Sequence, residues 1–213
     1  MVKLKELFDL NGNLLEKYLA KYQAPYEVLP DIQTLIMEIG NTLDENEYQK
    51  IKENIWIHKS AILSNSIEIL GPCIIMENAC IRHNAYLREN VIIGKNSVVG
   101  NSCEIKNSIL LDYCEVPHFN YVGDSILGHH AHLGAGAIIS NLRLDKENIM
   151  IDNTNTHLRK IGAFLGDNVQ VSCNAVINPG TIIYPNTIIY PLTTVKGIIK
   201  ENNQNNGIKV ERL

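Results

Sequence analysis

At 213 residues the chain has room for one large domain, or for one domain and a small appendage. Hydrophobic residues at 45% against 20% charged describe a folded protein and exclude a disordered one, and a net charge of −4 excludes the basic footprint of a nucleic-acid or anionic-membrane binder. The five cysteines are odd in number and form no C-x-x-C pair, so neither a disulfide framework nor a zinc ribbon is indicated.

The first 54 residues show no continuous apolar core of a signal peptide, and no stretch of the chain approaches membrane-spanning length, so a cytoplasmic location is expected. DIQTLIMEIG (31–40) sets Ile32, Leu35, Ile36 and Ile39 on one face and predicts an amphipathic helix. NLLEKYLAKY and DENEYQKIKEN are weaker helix candidates. Residues 1–54 are therefore predicted to be a helical cap over the open end of the repeats that begin near Ile57, where an unpaired edge would invite aggregation.

From Ile57 an aliphatic residue returns every sixth position through Ile75, Leu87, Ile93, Val99 and Ile105 to Leu111. The phase slips between Leu111 and Leu127. It resumes at Leu127, Leu133 and Ile139, breaks again, and runs from Leu165 to Val195. The third residue after each aliphatic is mostly a turn former, as at Asn78, Asn84, Asn90, Asn96, Asn168, Asn174 and Asn186, which suits one sharp left-handed corner per hexapeptide. The fourth is small. Cys73, Cys103 and Cys173 are assigned to that inward slot. Short strands joined by corners every six residues predict an all-β fold, a parallel β-helix over residues 55–197 with three hexapeptides per coil. Residues 18 apart then stack at about 5 Å, the spacing of neighbouring strands. SNLRLDKENIMIDNTNTHLRK (140–160) is a polar excursion from the coil, and residues 198–213 read as a flexible tail.

Several residues stand out from this scaffold. Arg88 and Lys106 stack, as do Tyr86 and Glu104 two positions earlier, and strand alternation sends all four outward. Two cations about 5 Å apart repel by about 3 kcal/mol at an effective dielectric near 20, a cost that a bound phosphate would reverse. VPHFNYVGDSILG (116–128) interrupts the rhythm, and His118 after Pro117 is placed to act as a general base. GHHAHLG raises a metal reading, but His129 and His130 fall on an outward corner where neighbours seldom ligate one ion, so no metal site is assigned. Outward aliphatics such as Ile74, Ile92 and Val98 predict flat apolar faces and, through them, a homotrimer.

EIKNSILLDYCEVPHFNYVGDSILGHHAHLGAGAIISNLR resembles the acetyltransferase domain of bacterial bifunctional N-acetylglucosamine-1-phosphate uridyltransferases. SNLRLD followed by RKIGAFLGDNV is similar to the archaeal sugar-1-phosphate nucleotidylyltransferase/amino-sugar acetyltransferases. The resemblance covers about residues 57–197 and implies a left-handed β-helix, a trimer, and acetyl-CoA-dependent transfer to an amino-sugar phosphate such as glucosamine-1-phosphate. It implies that Arg88, Lys106, Tyr121 and Lys160 grip the sugar phosphate, that Glu104 lines the pocket, and that His118 is the base. It further implies that Asn141 and Cys173 lie beside the coenzyme. His132 and Leu142 depart from the family pattern. Fifty-four residues are too few for a doubly wound nucleotide-binding domain, so nucleotidyl transfer is expected to fall to a separate enzyme. A non-catalytic trimeric module binding a nucleotide sugar is the alternative.

Overall fold

The computed structural model describes residues 1–200. The repeats form a β-solenoid of about 8 turns, built on three parallel sheets. Face A carries Ile55–His58, Cys73–Ile75, Val91–Ile93, Ser108–Leu110, Ile126–Leu127, Ala163–Leu165, Thr181–Ile183 and Ile198–Ile199. Face B runs from Ile62–Leu63 to Ile188–Ile189, and face C from Glu68–Ile69 to Thr194–Val195. Inward aliphatics from all three stack into one buried core, among them Ile57, Ile75, Leu87, Val99, Ile105 and Ile177. The seven asparagines expected at corners all have positive φ, between 54° and 62°. This is the backbone region that asparagine tolerates better than most residues.

Ile198–Ile199, assigned by sequence to the tail, pairs with Ile182 and Ile183 and adds a last rung to face A. The rest of the predicted tail, residues 201–213, lies outside the described residues.

The phase slip is split into two one-residue steps, the first of them earlier than the sequence suggested. Ile105 is followed inward by Leu110, not Leu111, and Val122 by Leu127, so each of these corners is one residue short. Through this stretch the coil repeats every 17 residues, pairing Ile105 with Val122 and Leu110 with Leu127. Asn107 and Asp124 supply the positive φ at the two tight corners, at 44° and 51°. Ser108 and Ser125 fill the cramped inward slots. Each hydroxyl donates to a carbonyl two residues back, Lys106 at 2.7 Å and Gly123 at 2.8 Å. Each also accepts a backbone N–H from the next coil, that of Ser125 at 3.1 Å or Ala163 at 3.0 Å. Pro117 marks no break: Glu115–His118 pairs in regular register with Val98, Val99 and Asn101.

The N-terminal segment is not simply a cap. Outward on face A runs a column with one large apolar side chain per coil: Trp56, Ile74, Ile92, Ile109, Ile126, Phe164 and Ile182, in direct register. Leu7, Phe8, Leu15, Leu19, Val28, Ile32, Leu35, Ile36 and Ile39 bury this column along its length. The predicted helix is present as Ile32–Gly40, and its last residue abuts Trp56. A Cβ on Gly40 would lie 2.5 Å from the indole ring, so only glycine allows this approach. Ile74 and Ile92 are fully buried here, so they offer no interface to another copy. Of the weaker helix candidates, the first contributes one turn, Glu16–Leu19. The second is a strand instead: Tyr48–Lys52 pairs antiparallel with Ile55–His58 across a turn in which Asn54 has φ 61°. That strand covers the first edge of face A alone; Ile62–Leu63 and Glu68–Ile69 remain the terminal strands of faces B and C.

Residues 140–160 leave the coil at the corner between faces C and A and return before Ala163–Leu165. They form a small hairpin, Met150–Ile151 against Thr154–Asn155, and Ile149 and Ile151 join the apolar layer over face A.

Candidate functional site

Face C positions the residues singled out in the sequence. Glu104 stands between Tyr86 and Tyr121 on adjacent coils, and Ile105 between Leu87 and Val122, so Arg88 stacks on Lys106 and Lys106 on Gly123. Asn141, the second residue after Ile138–Ile139, turns its amide back to the same face and donates to the Tyr121 hydroxyl at 3.0 Å. Gly123 leaves room for this contact: a Cβ would lie 2.5 Å from the Tyr121 hydroxyl and 2.7 Å from the Asn141 amide nitrogen, so those side-chain ends would have to shift. Arg88, Glu104, Lys106, Tyr121 and Asn141 thus share one surface.

The mutual repulsion of the two cations is relieved by carboxylates. Arg88 Nη1 meets Glu104 Oε1 at 3.0 Å and its Nε meets Glu89 at 3.5 Å. Lys106 Nζ meets Asp124 Oδ1 at 3.3 Å and Glu89 at 3.9 Å. Lys106 and Asp124 are the shielded pair, with side chains 13% and 6% exposed. The hydrogen bond that Arg88 donates to Glu104 pushes the Arg88 pKa up further. The Tyr121 phenol is pushed up by burial, then by the Asp124 and Glu104 charges, against smaller opposing effects of Asn141 and Arg88, which keeps it a neutral hydroxyl. Any phosphate arriving here must exchange for carboxylate partners.

The remaining predicted residues are placed differently. His118 is exposed at the C-terminal end of the strand Glu115–His118 in the middle of face B and is separated from Tyr121 by one corner, Phe119–Asn120 in sequence. That corner is rigid. Asn120 is buried, accepts the His118 backbone N–H at 3.0 Å, and donates to the carbonyls of Gly134 and Ala137 at 2.8 and 3.0 Å. Lys160 is exposed and bridges Leu142 through its backbone at the neck of the excursion. Cys173 is exposed, not inward; the slot assigned to it belongs to Ala175, because the small position lies four residues after Val171 rather than two. Cys173 sits at the corner between faces B and C, whereas Asn141 sits between C and A, so one chain does not bring the two together. His132 faces Glu115 at 3.7 Å on face B. Among the described residues no group of three or more His, Cys, Asp or Glu could hold a metal ion, and no helix is long and apolar enough to cross a membrane.

Sequence reasoning passed over Glu89, Asn107 and Asp124. The signal was present: KNSIL and GDSIL recur 17 residues apart, and their second residues are the two corner side chains.

Part of the chain is 36% identical over 81 residues to a bifunctional sugar-1-phosphate nucleotidylyltransferase/acetyltransferase of Sulfurisphaera tokodaii, covering 36% of this chain and 20% of that protein. Proteins described as bifunctional protein GlmU match similarly. One from Methanococcus maripaludis is 40% identical over 80 residues (36% of this chain, 20% of that protein), and one from Wigglesworthia glossinidia brevipalpis is 33% identical over 128 residues (57% and 26%). The chain thus spans about a quarter or less of the length of these curated relatives. Among solved structures, the acetyltransferase domain of PglB from Neisseria gonorrhoeae in complex with acetyl coenzyme A aligns at TM-score 0.30 and 14% identity, over 65% of this chain and 52% of that one. Residues 69–199, more than half of the sequence, match the family described as GMPPB C-terminal domain, and the chain belongs to that family.

Proposed function

We infer that face C is the acceptor site of an acetyl-CoA-dependent N-acetyltransferase acting on an amino-sugar phosphate of the glucosamine-1-phosphate type, in nucleotide-sugar biosynthesis. The observation that carries this reading is the convergence of Arg88, Lys106, Tyr121 and Asn141 on one surface, with His118 one rigid corner away. Arg88 and Lys106 exchange Glu89 and Glu104 for the phosphate, and the neutral Tyr121 hydroxyl donates to it. The amine nitrogen forms the new bond to the thioester carbonyl carbon and the carbon–sulfur bond breaks. The proton lost by nitrogen passes through His118 to the leaving sulfur.

Acetyl-CoA is the second substrate. Asn141 and Cys173 lie on different corners of one chain, so a site using both needs a second copy alongside, and the reading includes a homotrimer with shared sites. Exposed apolar side chains on faces B and C, such as Ile62, Val176 and Tyr190, are compatible with such packing. Thiol release from acetyl-CoA, measured with and without glucosamine-1-phosphate on protein sized by light scattering, tests the reading. Acceptor-dependent release by an oligomer supports it, and a monomer with no release overturns it.

A second reading has its own observation: both cations already hold carboxylate partners and the His118 imidazole makes no hydrogen bond among the described residues. A non-catalytic module binding a nucleotide sugar, working with a separate nucleotidyltransferase, fits those facts. Binding of a nucleotide sugar without thiol release would favour it.

A further inference from the structure

Asp124 receives more hydrogen bonds than any other side chain at this surface, and every partner of its carboxylate is a donor. Its Oδ1 accepts from Lys106 Nζ at 3.3 Å and from Asn107 Nδ2 at 3.0 Å, and its Oδ2 accepts from Asn141 Nδ2 at 2.5 Å. Its main chain is equally committed. The Asp124 N–H donates to the Lys106 carbonyl at 2.9 Å, and the Asp124 carbonyl accepts from Gly162 at 2.8 Å. Asn141 lies at the start of the excursion and Gly162 just after its end, while the Ile161 N–H donates to the Asn141 carbonyl at 3.1 Å across the neck. Asn107 extends the connection, donating also to the Leu29 carbonyl of the N-terminal segment at 3.4 Å.

We propose that Asp124 is a positioning residue: its carboxylate holds the Lys106 ammonium, the first amide of the 140–160 excursion and the Asn107 corner in one register, and so sets the geometry of the anion-binding face. The inference rests on the acceptor-site reading of face C. Its physical basis is the donor and acceptor inventory. A carboxylate offers acceptors only, and this position meets donors only; an amide of the same shape would turn an NH₂ toward at least one of them. The tight corner leaves no slack for that side chain to withdraw, because Asp124 is fixed at φ 51° and its side chain is 6% exposed.

Two measurements on the full chain test this. One is glucosamine-1-phosphate affinity by calorimetry, and the other is the rate of tryptic cleavage within the excursion, at Arg143 and Lys146. Asp124→Asn is expected to weaken sugar-phosphate binding about tenfold to hundredfold, the worth of one hydrogen bond to a charged group, and to speed excursion cleavage by at least about tenfold. The exchanged pair Asp124→Asn with Asn141→Asp is expected to restore both to within about threefold. In it the amide at 124 offers its oxygen to Lys106 and Asn107 and its NH₂ to the carboxylate at 141. Unchanged cleavage in Asp124→Asn, or an exchanged pair no better than the single variant, overturns the proposal. Should Asp124→Asn fail to fold, Asn141→Ala removes one arm of the network, and cleavage at the wild-type rate in that variant overturns it equally. If the wild-type chain binds no glucosamine-1-phosphate, the acceptor-site reading fails, while the cleavage rates still decide whether Asp124 holds the excursion.

Discussion

Face A and the two other faces of the solenoid are made from the same repeat yet meet different surroundings. On faces B and C the residues flanking each inward aliphatic are mixed: Glu68, Arg88, Glu104 and Lys106 on C, Arg82, Glu115 and Gln170 on B. On face A they are apolar in almost every coil, as in Ile55-Trp56-Ile57, Val91-Ile92-Ile93 and Ala163-Phe164-Leu165. A strand apolar on both sides must be buried on both sides. The chain meets that demand with its own N-terminal segment, leaving the polar faces free for chemistry. One face stores stability and the others carry the candidate site, so substitutions should sort by face.

The sharpest way to break this division is to put one charge on each kind of face. Ile92 is fully buried under the N-terminal segment, whereas Val98 is half-buried on face B. Ile92→Asp should cost more than about 4 kcal/mol, enough to abolish folding in urea or thermal melts, because it buries an unpaired charge. Val98→Asp should stay within about 0.5 kcal/mol if face B is open to water, and should instead change the oligomer size if another copy sits there.

His118→Ala, on an open corner, should lower acetyl transfer by about 10²–10⁴-fold while leaving the melting temperature nearly unchanged. A variant that turns over normally would remove His118 from the mechanism. Lys106→Met should weaken phosphorylated-sugar binding by about 1.5–3 kcal/mol, measured calorimetrically, with little change for the unphosphorylated sugar. Equal losses for both sugars would argue against a phosphate clamp.

The smallest effect tests the covered side from its edge. Burial, with the nearby charges of Glu47, Glu77 and Asp112, pushes the Tyr48 phenol up to about 12. A phenol raised in the folded state contributes stability that is complete below its ordinary value near 10 and is lost as pH rises through about 12. Denaturation midpoints should therefore fall between those values, and Tyr48→Phe should flatten the fall.

The solenoid was legible because its signal is local. A period of six with asparagine at the corner specifies where the backbone must turn, and the asparagines expected to turn it do so. The site was half legible. Stacking at the coil repeat placed Arg88 over Lys106 and Tyr86 beside Glu104, whereas the carboxylates that neutralise the cations went unseen. Asp124 and Asn107 lie on corners shortened by one residue, and a strict count of six put them out of phase.

By itself the sequence determined the coil, its asparagine corners and, outside the shortened corners and Cys173, which side chains face inward, since these depend on spacing within six to eighteen residues. Only the tertiary structure decided that residues 1–43 lie along face A and that a strand caps its edge. Only the structure brought Asn141 to Tyr121 and Asp124, set Cys173 apart from Asn141, and gave Lys106 a carboxylate partner. Those outcomes depend on contacts between segments distant in sequence, whose free energy is settled by which surfaces can be buried together.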